Sequence, residues 1–247
     1  MALLGSCASA LKKQCESTNW FEHGRAVALS GRRLNSDNLV GQCQKEDVEV
    51  NEAQVDLGFK SGMGQYCTAE GAKETGRKGD PFNPDLCNPS IVSALQKDHE
   101  KGVVLYCKPS NGYQQGALGS VYKNVCPKAL EDSFMTQFRK GKKVYIMNMI
   151  EAKTSELRNI ENQMEVSQRT ESRLKKQLLV LMTAQRLSQS RNPSPEQIQR
   201  DRDERDDVER QISQESYSRN SLQGQASTAR SELAKLRIEY GSVDSDL

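Results

Sequence analysis

SGMGQYCTAEGAKETGRKGDPFNPDLC, residues 61–87, and KGVVLYCKPSNGYQQGALGSVYKNVC, residues 101–126, are two copies of one pattern. Gly62, Tyr66, Cys67, Gly76, Gly79 and Cys87 of the first align with Gly102, Tyr106, Cys107, Gly116, Gly119 and Cys126 of the second, with a slip of one residue at the last position. Cysteines recurring in register with glycines describe cross-links around close backbone contacts. Such a framework belongs to a small stapled domain in an oxidising compartment.

Outward from the two copies, an aromatic ring or a histidine stands three residues ahead of a glycine at Phe21/Gly24, Phe59/Gly62, His99/Gly102, Tyr113/Gly116 and Phe138/Gly141. Residues three apart share a helix face, so each unit sets a large ring beside a missing side chain. Short helices packed closely on one another follow. Gly24, Gly62, Gly102 and Gly141 lie among helix formers and are expected at helix contacts, because an interior glycine costs about 1 kcal/mol and needs a reason. Gly71, Gly112 and Gly119, close to Asn, Ser or Pro, are expected to end helices. Spacing alone does not choose among the many pairings that six cysteines permit. The repeat favours closing each copy on itself, Cys67 with Cys87 and Cys107 with Cys126, which leaves Cys15 with Cys43. Loops of this size each stabilise a fold by roughly 3 kcal/mol in the chain-entropy view, a large share for a chain with 35% hydrophobic and 5% aromatic residues.

The aromatic and Gly24, Tyr66-Cys67 behind Gly62, Tyr106-Cys107 behind Gly102, then Gly112, Gly116, Gly119, Cys126-Pro127, Phe134 and Gly141 resemble the bacterial family called domain of unknown function 2799. The resemblance spans roughly Cys15 to Tyr145. It implies a small envelope protein, often a lipoprotein, and carries no catalytic residue.

From Pro127 the texture changes: no cysteine follows Cys126, and Gln, Glu, Arg, Ser and Leu dominate. Apolar residues recur in heptads at Ile150, Leu157, Met164 and Leu178 with Ile160, Leu174 and Leu181, and after Asn192-Pro193-Ser194-Pro195 again at Ile198, Ile212, Ala226, Leu233 and Tyr240 with Val208, Leu222, Ala229 and Leu236. Folding back at residues 192–195 brings the two seams together, Val208 opposite Leu178 and Leu179, Ile212 opposite Leu174, Leu222 opposite Met164 and Ala229 near Leu157. The expectation is an antiparallel hairpin, its helices about 90 Å and 65 Å long. Glu171, Arg205, Glu215 and Arg219 fall on core-type positions and are expected to snorkel to the flank. Leu178, Leu179, Val180, Leu181 and Met182 are apolar on every side of a helix and form a candidate partner-binding collar.

The whole reads as an all-α chain: a remnant of a lipoprotein signal at 1–7, a disulfide-stapled helical domain at 8–127, a helical hairpin (coiled coil) at 128–240 and a frayed tail at 241–247. Leu4-Gly5-Ser6-Cys7 has the form of a bacterial lipobox with Cys7 as the acylated residue, although the apolar segment of a full signal does not stand before it. Removing Cys7 leaves an even six cysteines. The expected place is the periplasmic face of the outer membrane, held there by the lipid alone; a cytoplasmic protein with reduced thiols is the alternative.

A net charge of +2 with both signs interleaved gives no footprint for nucleic acid. Two histidines, His23 and His99, and the lack of C-x2-C spacing argue against a metal site. With no G-x-S-x-G, H-E-x-x-H or phosphate loop, no enzyme and no cofactor are expected. The function expected is that of an envelope adaptor, spacer or assembly factor working on envelope proteins or on a second copy of itself, with a cell-wall-active enzyme or inhibitor as the alternative.

Overall fold

The structure, a computed structural model of the chain, describes residues 5–243, with side chains from Ala10 onward except that of Gln189. It contains α1 (Gly5–Ser17), α2 (Trp20–Leu29), α3 (Leu39–Lys45), α4 (Glu52–Tyr66), α5 (Ala69–Arg77), α6 (Pro89–Tyr106), α7 (Pro109–Ala117), α8 (Lys128–Gln189) and α9 (Pro195–Ser242). Helix starts follow local chemistry. Asn19, Asn51, Thr68 and Asn88 accept hydrogen bonds from first-turn amides of α2, α4, α5 and α6, while Pro89, Pro109 and Pro195 fill positions whose amides would have no helical partner.

The chain divides into two compact units, residues 1–142 and 143–247. This boundary lies four turns beyond the change of composition at Pro127, because Phe134, Phe138 and Gly141 of α8 belong to the core of the first unit.

In that unit the repeat occurs three times, once more than the sequence shows. α2 pairs with α4, α5 with α6, and α7 with the start of α8. Each pair meets at reciprocal glycines. A Cβ on Gly76 would overlap the carbonyl of His99, three residues before Gly102, and one on Gly102 would overlap that of Lys73, three residues before Gly76. Gly116 and Gly141 repeat the arrangement through Phe138 and Tyr113; Gly24 and Gly58 do so through Val55 and Phe21. Gly62, which heads the first copy in the sequence alignment, packs instead against Arg25 and Ala28. Alanine at 28 takes the place of Gly76 and Gly116, and the closest approach moves one turn along. The first helix of each pair ends in a left-handed glycine, Gly31 (φ 71°), Gly79 (φ 74°) or Gly119 (φ 73°), a conformation that side chains with a Cβ disfavour.

Gly119 is thus a helix end, as expected, but Gly112 and Gly71 are not. Gly112 lies inside α7, where a Cβ would press on the backbone and ring of Phe134, and Gly71 lies in the first turn of α5 against the carbonyls of Gln65 and Tyr66. Their neighbours look like turn residues because Thr68 and Pro109 start helices there.

Disulfides join Cys15 to Cys43, Cys67 to Cys87 and Cys107 to Cys126, with Cα separations of 5.6, 5.5 and 5.7 Å. Each ties the segment ahead of a pair's first helix to the segment ahead of its second. Around them, Tyr66, Ala72, Cys87 and Leu95 form one cluster, and Tyr106, Cys126, Phe134 and Phe138 another with Val103 and Cys107. The repeats are sewn together by tyrosine. Tyr66, at the end of α4, stacks on Phe82 of the next repeat at 5.4 Å and accepts a 2.7 Å hydrogen bond from the Asn83 amide. Burial, opposed by that hydrogen bond, raises the pKa of its hydroxyl. Tyr106 reaches Phe134 of the third repeat at 5.1 Å, with the rings tilted by 36°.

Candidate functional site

The second unit is a helical hairpin made by residues 143–189 of α8 and by α9, helices of 62 and 48 residues in full. At 1.5 Å per residue, α9 is about 72 Å long, somewhat more than expected, because it continues through Gly241 and Ser242. The expected tail is therefore helical that far, and residues 244–247 lie outside the described ones. Ser194 caps α9, and Asn192 makes the turn with φ 52°.

Ile146, Ile160 and Leu174 of α8, and Val208, Ala226, Ala229 and Leu233 of α9, are buried. The two alanines let the helices approach closely. Lys153 to Glu232 at 2.8 Å, Arg230 to Glu161 at 2.7 Å and Ser167 to Glu215 at 2.7 Å fix the register across the seam.

A polar layer interrupts the seam. Glu171 does not snorkel: it is only 5% exposed. One carboxylate oxygen accepts from Lys175 at 2.6 Å, and the other accepts from Arg219 across the hairpin. The hydrogen bond from Lys175, assisted by the charge of Arg219, holds the Glu171 carboxyl below its ordinary pKa despite desolvation. Next to it, the buried Ser167 hydroxyl donates to the Glu215 carboxylate and lies 3.2 Å from the Glu215 carbonyl. Arg205 turns along its own helix to Asp206. The sequence marks Glu171 and Arg219 as core positions; their pairing depends on the facing helix.

The collar divides in two. Leu178 and Leu181 turn toward α9 and are half-buried, whereas Leu179 is 65% exposed, Val180 66% and Met182 52%. Leu187 and Val166 on the same helix are also exposed, and a shallow open depression runs over Gln168, Arg169, Ser172, Arg173 and Lys176. The sequence pattern that marks this additional surface is a second heptad row offset by two residues from the first.

In the first unit both histidines have structural partners. His23 Nε2 lies 3.0 Å from Asp37 Oδ1, and His99 Nε2 donates to the Asp80 carbonyl at 2.8 Å while its ring packs 5.8 Å from Phe82. A carbonyl oxygen only accepts, so Nε2 of His99 carries the proton. Asp37, Glu52 and Asp56 border a groove of about 400 Å³ floored by Leu34, Val40 and Val55. Among the described residues no group of three His, Cys, Asp or Glu side chains could hold a metal ion, and no helix is long and apolar enough to cross a membrane. The Cys7 side chain, the expected acylation site, lies outside the described ones.

Fold and surface together define a class: a domain of disulfide-stapled helical repeats continued by an antiparallel coiled-coil hairpin. The chain belongs to the family described as "Protein of unknown function (DUF2799)", whose pattern matches residues 19–104 and, overlapping, 89–143. The match ends at Lys143, one residue beyond the first compact unit. No curated protein and no solved structure matches the chain.

Proposed function

We propose that this protein is a non-enzymatic adaptor of the bacterial envelope, tethered to the outer membrane through acylated Cys7, whose hairpin engages protein partners in the periplasm. The observation that carries this reading is the collar: Leu179, Val180 and Met182 stand in solvent directly behind Leu178 and Leu181, which already serve the hairpin. Three exposed apolar side chains in one turn exceed what the two-helix seam needs, and contiguous exposed apolar surface marks interaction sites. Three disulfides support an extracytoplasmic location, since thiols stay reduced in the cytosol.

The test is site-specific photo-crosslinking from Leu179 and Met182 of the full chain in its native envelope, with the exposed Arg202 as control. Discrete adducts from the collar and none from the control are expected; no adduct from either collar position sinks the reading. Leu179→Glu with Val180→Glu, exposed changes that leave the seam intact, should abolish the cellular role. Full retention of that role would move the work to the stapled repeats and favour a cell-wall-active enzyme or inhibitor. Mass spectrometry of the N-terminal peptide checks acylation of Cys7, and a count of reactive thiols in the native host checks the compartment.

A further inference from the structure

α8 carries two heptad rows, and the hairpin uses one. The row facing α9 runs Met164, Ser167, Glu171, Leu174, Leu178, Leu181. Two residues further on, about 200° around the helix, a second row runs Val166, Arg169, Arg173, Lys176, Val180, Thr183, Leu187 with the same alternation of three and four. Every member is exposed; Val166, Val180 and Leu187 are 63%, 66% and 62% exposed, and Leu179 flanks them. No Asp or Glu occurs from Ser172 to Pro195, while Arg173, Lys175, Lys176, Arg186 and Arg191 do. Arg169 is paired with Glu165 and Lys175 with Glu171; Arg173 and Lys176 have no acidic partner among the described residues.

The order along the row discriminates among occupants. A helix that lies in a bilayer surface keeps its cations on the flanks of a continuous apolar face. Here Arg169, Arg173 and Lys176 stand in line with the apolar positions, so immersion would drive three charges into hydrocarbon. A second copy placed α8 against α8 would oppose cations with cations. Of the acids in the first half of α9, Asp201 accepts from Gln197, Asp203 from Gln199, and Asp207 from Arg210 and Gln211, all on their own helix. What fits is a helix with acids at the central seam positions and apolar residues at both ends, since seam and flanking charges set partner choice in coiled coils.

We propose that the second row of α8 is a docking seam for an acidic amphipathic helix of another protein, which completes a three-helix coiled coil at Arg169, Arg173 and Lys176. The proposal rests on the adaptor reading and specifies the partner's chemistry.

Two synthetic helical peptides test it on the oxidised full-length protein at low salt, both with Leu at the terminal seam positions, one with Glu and the other with Lys at the three central ones. The Glu peptide should bind on the order of tenfold tighter or more, and Arg173→Glu with Lys176→Glu, both at exposed positions, should reverse the preference. Equal binding of the two peptides, or binding of neither, overturns the proposal. So does self-association that the double variant abolishes, which would make the seam a contact between copies, or binding to vesicles of anionic phospholipid that the variant abolishes, which would make it a lipid surface. Envelope adducts from Leu179 that persist in the double variant would discard the charged seam and leave the adaptor reading standing. Their absence from the wild-type chain would remove the adaptor reading itself.

Discussion

Gly79 lies flat against the ring of Tyr106, so that a Cβ on the glycine would fall within the ring's own atoms. The same glycine holds φ at 74°, which makes it the turn of its repeat and the lid of its core at once. Gly79→Ala is therefore expected to cost about 2–5 kcal/mol, combining left-handed strain with overpacking. Gly64, inside α4 with nothing within 4 Å of an added Cβ, supplies the contrast: Gly64→Ala should stabilise by about 0.5–1 kcal/mol. Urea unfolding of both oxidised variants checks the pair.

Gly112 and Phe134 occupy in the third repeat the places that Ala72 and Leu95 occupy in the second. The larger ring is accommodated by the smaller neighbour. Gly112→Ala alone should destabilise, and Phe134→Leu alone should leave a cavity costing about 1–3 kcal/mol. Together they should cost less than their sum by about 1 kcal/mol, the coupling expected of residues in contact. A double-mutant cycle measures it, and strict additivity would refute the compensation.

The three disulfides predict a definite chemistry of the unfolded chain. Non-reducing peptide mapping should recover Cys15 with Cys43, Cys67 with Cys87 and Cys107 with Cys126. Replacing Cys67 and Cys87 together by serine should lower stability by about 3 kcal/mol. The loss should appear in the transition of the first unit and leave the helical signal of the hairpin.

At high pH the sensitive group is Tyr122. Burial, together with the hydrogen bond it donates to Glu131 at 2.9 Å, pushes its pKa up to about 12, against the hydrogen bond it accepts from the Cys126 amide. A folded pKa above the unfolded one means that this contribution is complete below about pH 10 and is lost as pH rises through about 12. Tyr122→Phe should flatten that alkaline decline. Absorbance titration should find one fewer late-titrating phenol.

On the acid side, Glu171 is held below its ordinary range by Lys175 and Arg219. The unfolded chain takes up the proton first as pH falls, so the stability Glu171 contributes is present above about pH 4.5 and lost as pH falls through its lower folded value. Thermal unfolding of Glu171→Gln should show a shallower acid limb than the parent protein. Arg219→Gln should move the same limb to higher pH.

The sequence by itself determined the helical class and the heptads, because these rest on rules that act over a few residues, and its repeat favoured one pairing of the cysteines. The ring-and-glycine spacing, the heptads and the turn at 192–195 are all legible without a fold. It did not show the first repeat, where α3 and its flanking loops stretch the spacing and Ala28 replaces a glycine. Tertiary structure decided which glycines oppose each other, since a close approach belongs to two helices and Gly24 meets Gly58 rather than Gly62. It decided also that Glu171 is buried, because the cation of Arg219 arrives from a helix 48 residues away. The same facing helix covers Leu178 and Leu181 and leaves Leu179, Val180 and Met182 in water. Periodicity places residues on a face; only the neighbour that packs there settles which face is free.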